Sequence, residues 1–72
     1  MKLIDVKECK NFEYISCADK FMEKQLKTYG FLKGVSLEVE SYNKKNFVVK
    51  ILGSKYTLNK RLAETIEVAR RD

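Results

Sequence analysis

The chain has 72 residues, 44% hydrophobic and 35% charged, with a net charge of +5, four Tyr, four Phe, three Gly, two Cys, and no His, Pro or Trp. That length has room for about one compact core, which excludes a multidomain enzyme or a two-lobed cleft, and the lack of histidine removes the commonest general base and transition-metal ligand together. No apolar run approaches the ~18 residues of a membrane span, and Met1-Lys2-Leu3-Ile4-Asp5-Val6 lacks a signal peptide's apolar stretch, so a cytoplasmic protein is expected.

Leu3 to Val6 reads as a weak extended or one-turn helical segment. Phe12 to Cys17 is rich in aromatic and β-branched residues and predicts a strand. From Asp19 the period changes. Met22, Leu26 and Tyr29 fall at i, i+4 and i+7, with Lys20, Glu23, Lys24 and Lys27 on the other side, which predicts an amphipathic helix of about three turns. Ser16 or Asp19 can cap its start, and Gly30 can take the left-handed position beyond its end. In that ending Phe31 would fold back on Leu26, fixing the direction in which the chain leaves.

Beyond Gly34 the period becomes two, with Val35, Leu37 and Val39 on one face and Ser36, Glu38 and Glu40 on the other. Asn43 to Asn46 predicts a hairpin loop, and Phe47 to Leu52 a second strand of the hairpin. Gly53-Ser54 suits a two-residue type II′ turn into a strand over Lys55 to Leu58. Asn59 can cap one helical turn through Glu64, and Ile66 and Val68 alternate in a last strand.

Strand, helix, three-stranded meander, single turn and strand define a mainly β chain with one principal helix. Five short antiparallel strands are too few for a sandwich, and a flat sheet would leave long open edges. A small, partly open SH3-like barrel, with the helix between the first two strands, is therefore expected. Its core should hold Leu26, Val35, Leu37, Val39, Val49, Ile51, Leu58, Ile66 and Val68. No linker or repeat divides the chain, so residues 1–72 are expected to form one domain, as a monomer or weak dimer.

Residues 1–40 carry seven Lys against seven acids, whereas residues 41–72 carry eight Lys and Arg against three acids. No acid occurs between Glu40 and Glu64, so a one-signed face is expected there, suited to an anionic partner. The competing reading is a set of solvated lysines that keep a small domain soluble.

The order of these landmarks resembles the FeoA domain family of bacterial ferrous iron transport. The resemblance rests on Leu26-Lys27-Thr28-Tyr29-Gly30-Phe31-Leu32-Lys33-Gly34-Val35-Ser36-Leu37-Glu38-Val39, then Gly53-Ser54-Lys55-Tyr56-Thr57-Leu58, Ala63 and Ile66-Glu67-Val68, and it spans about Phe12 to Val68. Each motif alone is a generic turn or strand signal; their joint spacing carries the likeness. Lys33 stands where relatives commonly have Pro, and Lys10-Asn11 where they have a Gly in the turn before the first strand. The domain also looks like the small C-terminal barrel of iron- and manganese-dependent repressors, but no DNA-binding region precedes it here, so a free-standing protein is expected. The resemblance implies a cytoplasmic accessory protein that binds or regulates FeoB, the membrane permease with a guanine-nucleotide-binding domain, and is recruited to the inner face of the membrane through it.

No Ser/His/Asp set, phosphate loop or paired carboxylates stand out, so neither catalysis nor a bound cofactor is expected. Cys9 and Cys17 read as free thiols; they lack the paired spacing of a zinc site and are better taken as buried structural residues than as metal ligands. Tyr42, Phe47 and Tyr56 beside the basic half suggest an alternative, a small barrel that binds single-stranded nucleic acid, though without the aromatic clusters such readers display. The partner-binding residues expected are Tyr29, Phe31 and Lys33 as an anchor at the helix exit, with Lys44, Lys45, Lys55, Lys60 and Arg61 steering an acidic surface or the membrane leaflet.

Overall fold

The computed structural model describes residues 1–71; Asp72, counted among the acids above, lies outside them. After a 3-10 turn at Leu3–Asp5 come β1 (Asn11–Cys17), α1 (Lys20–Thr28), β2 (Ser36–Tyr42), β3 (Asn46–Ile51), β4 (Ser54–Asn59), a single turn α2 (Lys60–Ala63) and β5 (Ile66–Arg70). The strands form one antiparallel sheet in the order β4-β3-β2-β1-β5, with α1 between β1 and β2 in sequence. This is the expected mainly β, SH3-like architecture.

Curvature comes from two bulges. Ile15 is skipped in the β1–β5 pairing, where Tyr14 faces Val68 and Ser16 faces Glu67, and Glu40 is skipped between β2 and β3, where Val39 faces Val49 and Ser41 faces Val48. Each extra residue bends its strand and reverses the alternation beyond it. Thus Phe12, Tyr14 and Cys17 all reach the core although 14 and 17 differ in parity, and Val39 and Tyr42 share a face for the same reason.

The core contains Leu26, Leu37, Val39, Val49, Ile51, Leu58, Ile66 and Val68, as expected. Val35 is a correction: it precedes the first residue of β2, where cover by the sheet begins, and it packs against the core from the rim, half-buried. Leu3 and Val6 are core residues that the local pattern did not single out. They arrive there because the N-terminal segment runs along β5, with the Val68 amide donating to the Met1 carbonyl at 2.7 Å and Lys2 bridged to Glu67. The segment thereby covers the outer side of β5, leaving β4 the more open edge.

The β3–β4 connection also departs from expectation. Ile51 pairs with Ser54, so the two central residues are Leu52 and Gly53, at φ 50° and 85°. Positive φ at both positions is the signature of a type I′ turn, whose twist matches the flanking strands, rather than type II′ at Gly53-Ser54. Leu52, expected in the strand, is the non-glycine residue of the described chain with positive φ.

Candidate protein-binding surface

Asp19 starts α1, its carboxylate accepting from the amides of Phe21 and Met22 at 3.0 and 3.1 Å. At the other end the Phe31 amide donates to the Leu26 carbonyl at 3.1 Å and the Gly30 amide to Lys27 at 3.2 Å, with Gly30 at φ 100°. That pair of bonds is a Schellman ending, and it sets Tyr29 and Phe31 on opposite courses. Phe31 turns inward and is completely buried, with its ring edge-on to Tyr14 at 5.7 Å. Tyr29 turns outward, 51% exposed, with its ring 5.4 Å from that of Tyr56. Tyr56 in turn contacts Phe31 at 5.5 Å and donates its hydroxyl to the Tyr29 carbonyl at 3.3 Å, so a run of edge-on and tilted rings leads from the core to the surface.

Beside them the type I′ turn brings Leu52, 75% exposed, onto Gly30. An apolar groove of about 280 Å³ continues from Tyr29 and Tyr56 between α1 and β4, past Met22, Leu26 and Leu62. Met22 and Leu62 also border a neighbouring depression that ends at Asp19, Arg61 and Thr65.

The expected partner residues therefore separate. Phe31 is corrected: burial leaves it no surface to offer, and its side chain anchors the turn from within. Tyr29 and Lys33 are exposed near the helix exit, whereas Arg61 lines the neighbouring depression and not the groove itself. Lys55 is engaged, 3.0 Å from the Glu40 carboxylate, which reduces the free positive charge along β4. Lys44, Lys45 and Lys60 lie at the opposite end of β3, where the Lys60 amide donates to the Lys45 carbonyl at 2.9 Å. Leu52 and the Tyr56 hydroxyl contact were missed, since Leu-Gly is not a recognised turn pair and the register that creates it is a tertiary matter.

Among the described residues no group of three or more His, Cys, Asp and Glu is placed to hold a metal ion. Both thiols are free, but the expectation of two buried cysteines holds only for Cys17; Cys9 sits in the exposed connection ahead of β1. The Cys17 sulfur lies 3.3 Å from the Thr65 hydroxyl. Tyr14 is the perturbed acid of the chain: burial, reinforced by the negative forms of Cys17 and Glu23, pushes its hydroxyl up to about 12, and that hydroxyl has no hydrogen-bond partner.

A curled five-stranded antiparallel sheet with a capped helix between its first two strands defines a small β-barrel fold of the SH3-like kind. The chain belongs to the FeoA domain family, whose model matches residues 1–70. It is similar to the FeoA protein from Chlorobium tepidum, solved in solution, with a TM-score of 0.84 at 26% identity over 96% of this chain and 69% of that one. The NMR structure of a FeoA-like protein from Clostridium acetobutylicum shares the fold at TM-score 0.80 and 17% identity, covering 94% of this chain and 83% of the other. So does the crystal structure of an iron uptake regulatory protein (FeoA), at 0.82 and 14%, covering 96% and 95%. No curated protein matches the sequence.

Proposed function

We propose that this chain is an accessory protein of ferrous iron uptake that acts by binding a protein partner, the cytoplasmic part of an FeoB-type permease, and reaches the inner face of the membrane through it. Membership of the FeoA family supports the iron-uptake setting. The observation that carries the binding reading is the pair Tyr29 and Leu52, large exposed side chains carried by two hydrogen-bonded turns that meet at Gly30. An exposed tyrosine such as Tyr29 is a common interface anchor, an apolar neighbour such as Leu52 helps to exclude water around it, and an ordered backbone lowers the cost of binding. Lys33, just past the helix exit, and Arg61, in the neighbouring depression, would speed encounter with an acidic face.

The nucleic-acid alternative has less support. Tyr42 stacks on Phe47, whereas Tyr56, opposite Val49, packs against Tyr29 and Phe31, and among the described residues no ring contact joins the two groups into a continuous track.

The test is a titration of the full chain against the soluble cytoplasmic portion of an FeoB-type permease at two salt concentrations, with a single-stranded oligonucleotide in parallel. Saturable binding that Tyr29→Ala weakens about tenfold or more, mainly through faster dissociation, is expected. Lys33→Glu with Arg61→Glu should slow association and flatten its salt dependence. Absence of permease binding, or binding that Tyr29→Ala leaves unchanged, would overturn the reading.

A further inference from the structure

At the end of β3 away from Tyr29, three lysines far apart in sequence line one cleft of about 300 Å³. Lys7 comes from the connection before β1, Lys44 from the β2–β3 loop and Lys60 from the start of α2. The rest of the lining is Ile4, Val6, Tyr42, Asn43 and Phe47, with no carboxylate. Among the described residues none of the three ammonium groups has a carboxylate within 4 Å, and Glu8, next to Lys7, is engaged by Lys10 and Arg70. Like charges gathered on a concave, partly apolar wall focus a positive potential that an anion would relieve.

The frame of the cleft is built rather than incidental. The Tyr42 hydroxyl donates to the Lys7 carbonyl. The Asn43 side-chain oxygen accepts from the amides of Lys45 and Asn46 at 2.7 and 2.8 Å, and the Lys45 carbonyl accepts from the Lys60 amide at 2.9 Å. Hydrogen bonds thus tie all three lysine-bearing segments together.

Within that frame Tyr42 lies nearly parallel to Phe47, at 20° and 5.8 Å between ring centres. Phe47 is buried, whereas Tyr42 is 39% exposed, so ring surface not covered by Phe47 is open to the cleft. The bulge at Glu40 is what brings Tyr42 onto the face of Phe47. With its hydroxyl occupied by Lys7, Tyr42 presents ring rather than hydrogen-bonding capacity. Asn43, its oxygen used by the loop, keeps its side-chain N–H groups for an acceptor.

We propose that this cleft binds a nucleoside phosphate, with the phosphates among Lys7, Lys44 and Lys60 and the base against Tyr42. Ammonium groups suit phosphate as point charges, and an aromatic face tolerates any base. The volume matches the small end of ligand sites, enough for one nucleotide. The site is independent of the Tyr29 surface and of the permease reading.

The experiment follows amide resonances of the full chain during titration with ADP, then pyrophosphate and adenosine separately. ADP should shift Lys7, Tyr42 to Lys45 and Lys60 and bind about tenfold tighter than either half. Lys44→Ala with Lys60→Ala should weaken ADP about tenfold and reduce its salt dependence. Tyr42→Leu should lower ADP to the level of pyrophosphate, while Tyr42→Phe keeps the stacking ring; each variant's melting confirms that it is folded. Pyrophosphate binding as well as ADP, shifts centred elsewhere, no shift at low-millimolar ADP, or lysine variants without effect would each overturn the proposal. So would binding to phosphatidylglycerol vesicles through these lysines that ADP does not displace, since the phosphate would then belong to a lipid surface.

Discussion

Leu52 Cδ1 stands 2.7 Å from the point where a β-carbon on Gly30 would lie, so the β3–β4 turn and the end of α1 meet at Gly30, where any larger residue must push the exposed Leu52 side chain aside. Gly30 is also held at φ 100°. Gly30→Ala should therefore cost about 1–2 kcal/mol from the left-handed backbone alone, plus whatever is needed to move Leu52. A thermal melt of Gly30→Ala with and without Leu52→Ala separates the two effects: the second change should recover the steric part and leave the backbone part. An unchanged melting temperature for the single variant would contradict the Schellman ending.

Leu52 is a poor residue for its own turn. Asn before Gly is the favoured type I′ pair, and a bulky side chain at positive φ is strained. Leu52→Asn should raise stability by about 0.5–1 kcal/mol while weakening binding to the permease fragment. Stabilisation with binding intact would detach Leu52 from the proposed surface.

Tyr14 keeps a buried hydroxyl without a partner, raised to about 12 mainly by desolvation. Because its folded value exceeds the ordinary value of 10.0, the unfolded chain loses this proton first. Stability is then fully present below pH 10 and falls as pH rises toward about 12. Tyr14→Phe should flatten that alkaline decline and, by removing an unsatisfied polar group, gain up to about 1 kcal/mol at neutral pH. Denaturant unfolding at a series of pH values measures both effects, and a loss of stability on removing the hydroxyl would point to a partner for it.

The two thiols should respond differently. Cys9→Ser, on an exposed connection, is expected to leave the melting temperature unchanged, whereas Cys17→Ser puts a more polar group into the core and should cost about 1–2 kcal/mol. Neither change should abolish permease binding by a protein that remains folded. Selective loss on Cys9→Ser would give that thiol a role beyond structure.

A cap test addresses the helix itself. Asp19→Ala removes an acceptor for two amides and should lower stability by about 1 kcal/mol, with Asp19→Asn retaining most of it. Equal melting of the two variants, both below the parent, would show that charge, not the hydrogen bonds, is what matters there.

Much of this protein was fixed by short-range chemistry that a sequence displays. Asp19, the Met22 and Leu26 spacing and Gly30 specify a helix with both ends, because capping and left-handed glycine act within a few residues. The alternation through Leu37 and Val39, and again through Phe47, Val49 and Ile51, specifies strands with one core face. The landmark order carried the family. What the sequence left open required contacts between distant segments. Bulges at Ile15 and Glu40 reverse the strand parity and so send Cys17 inward and set Tyr42 on Phe47, an outcome of pairing register that no local period encodes. The turn that folds Phe31 back is local, but the complete burial of that ring against Tyr14 and the placing of Tyr29 beside Tyr56 depend on strands distant in sequence. Lys7, Lys44 and Lys60 become one cleft only when the sheet curls, because charge in a sequence has sign but no position until the chain is folded around it.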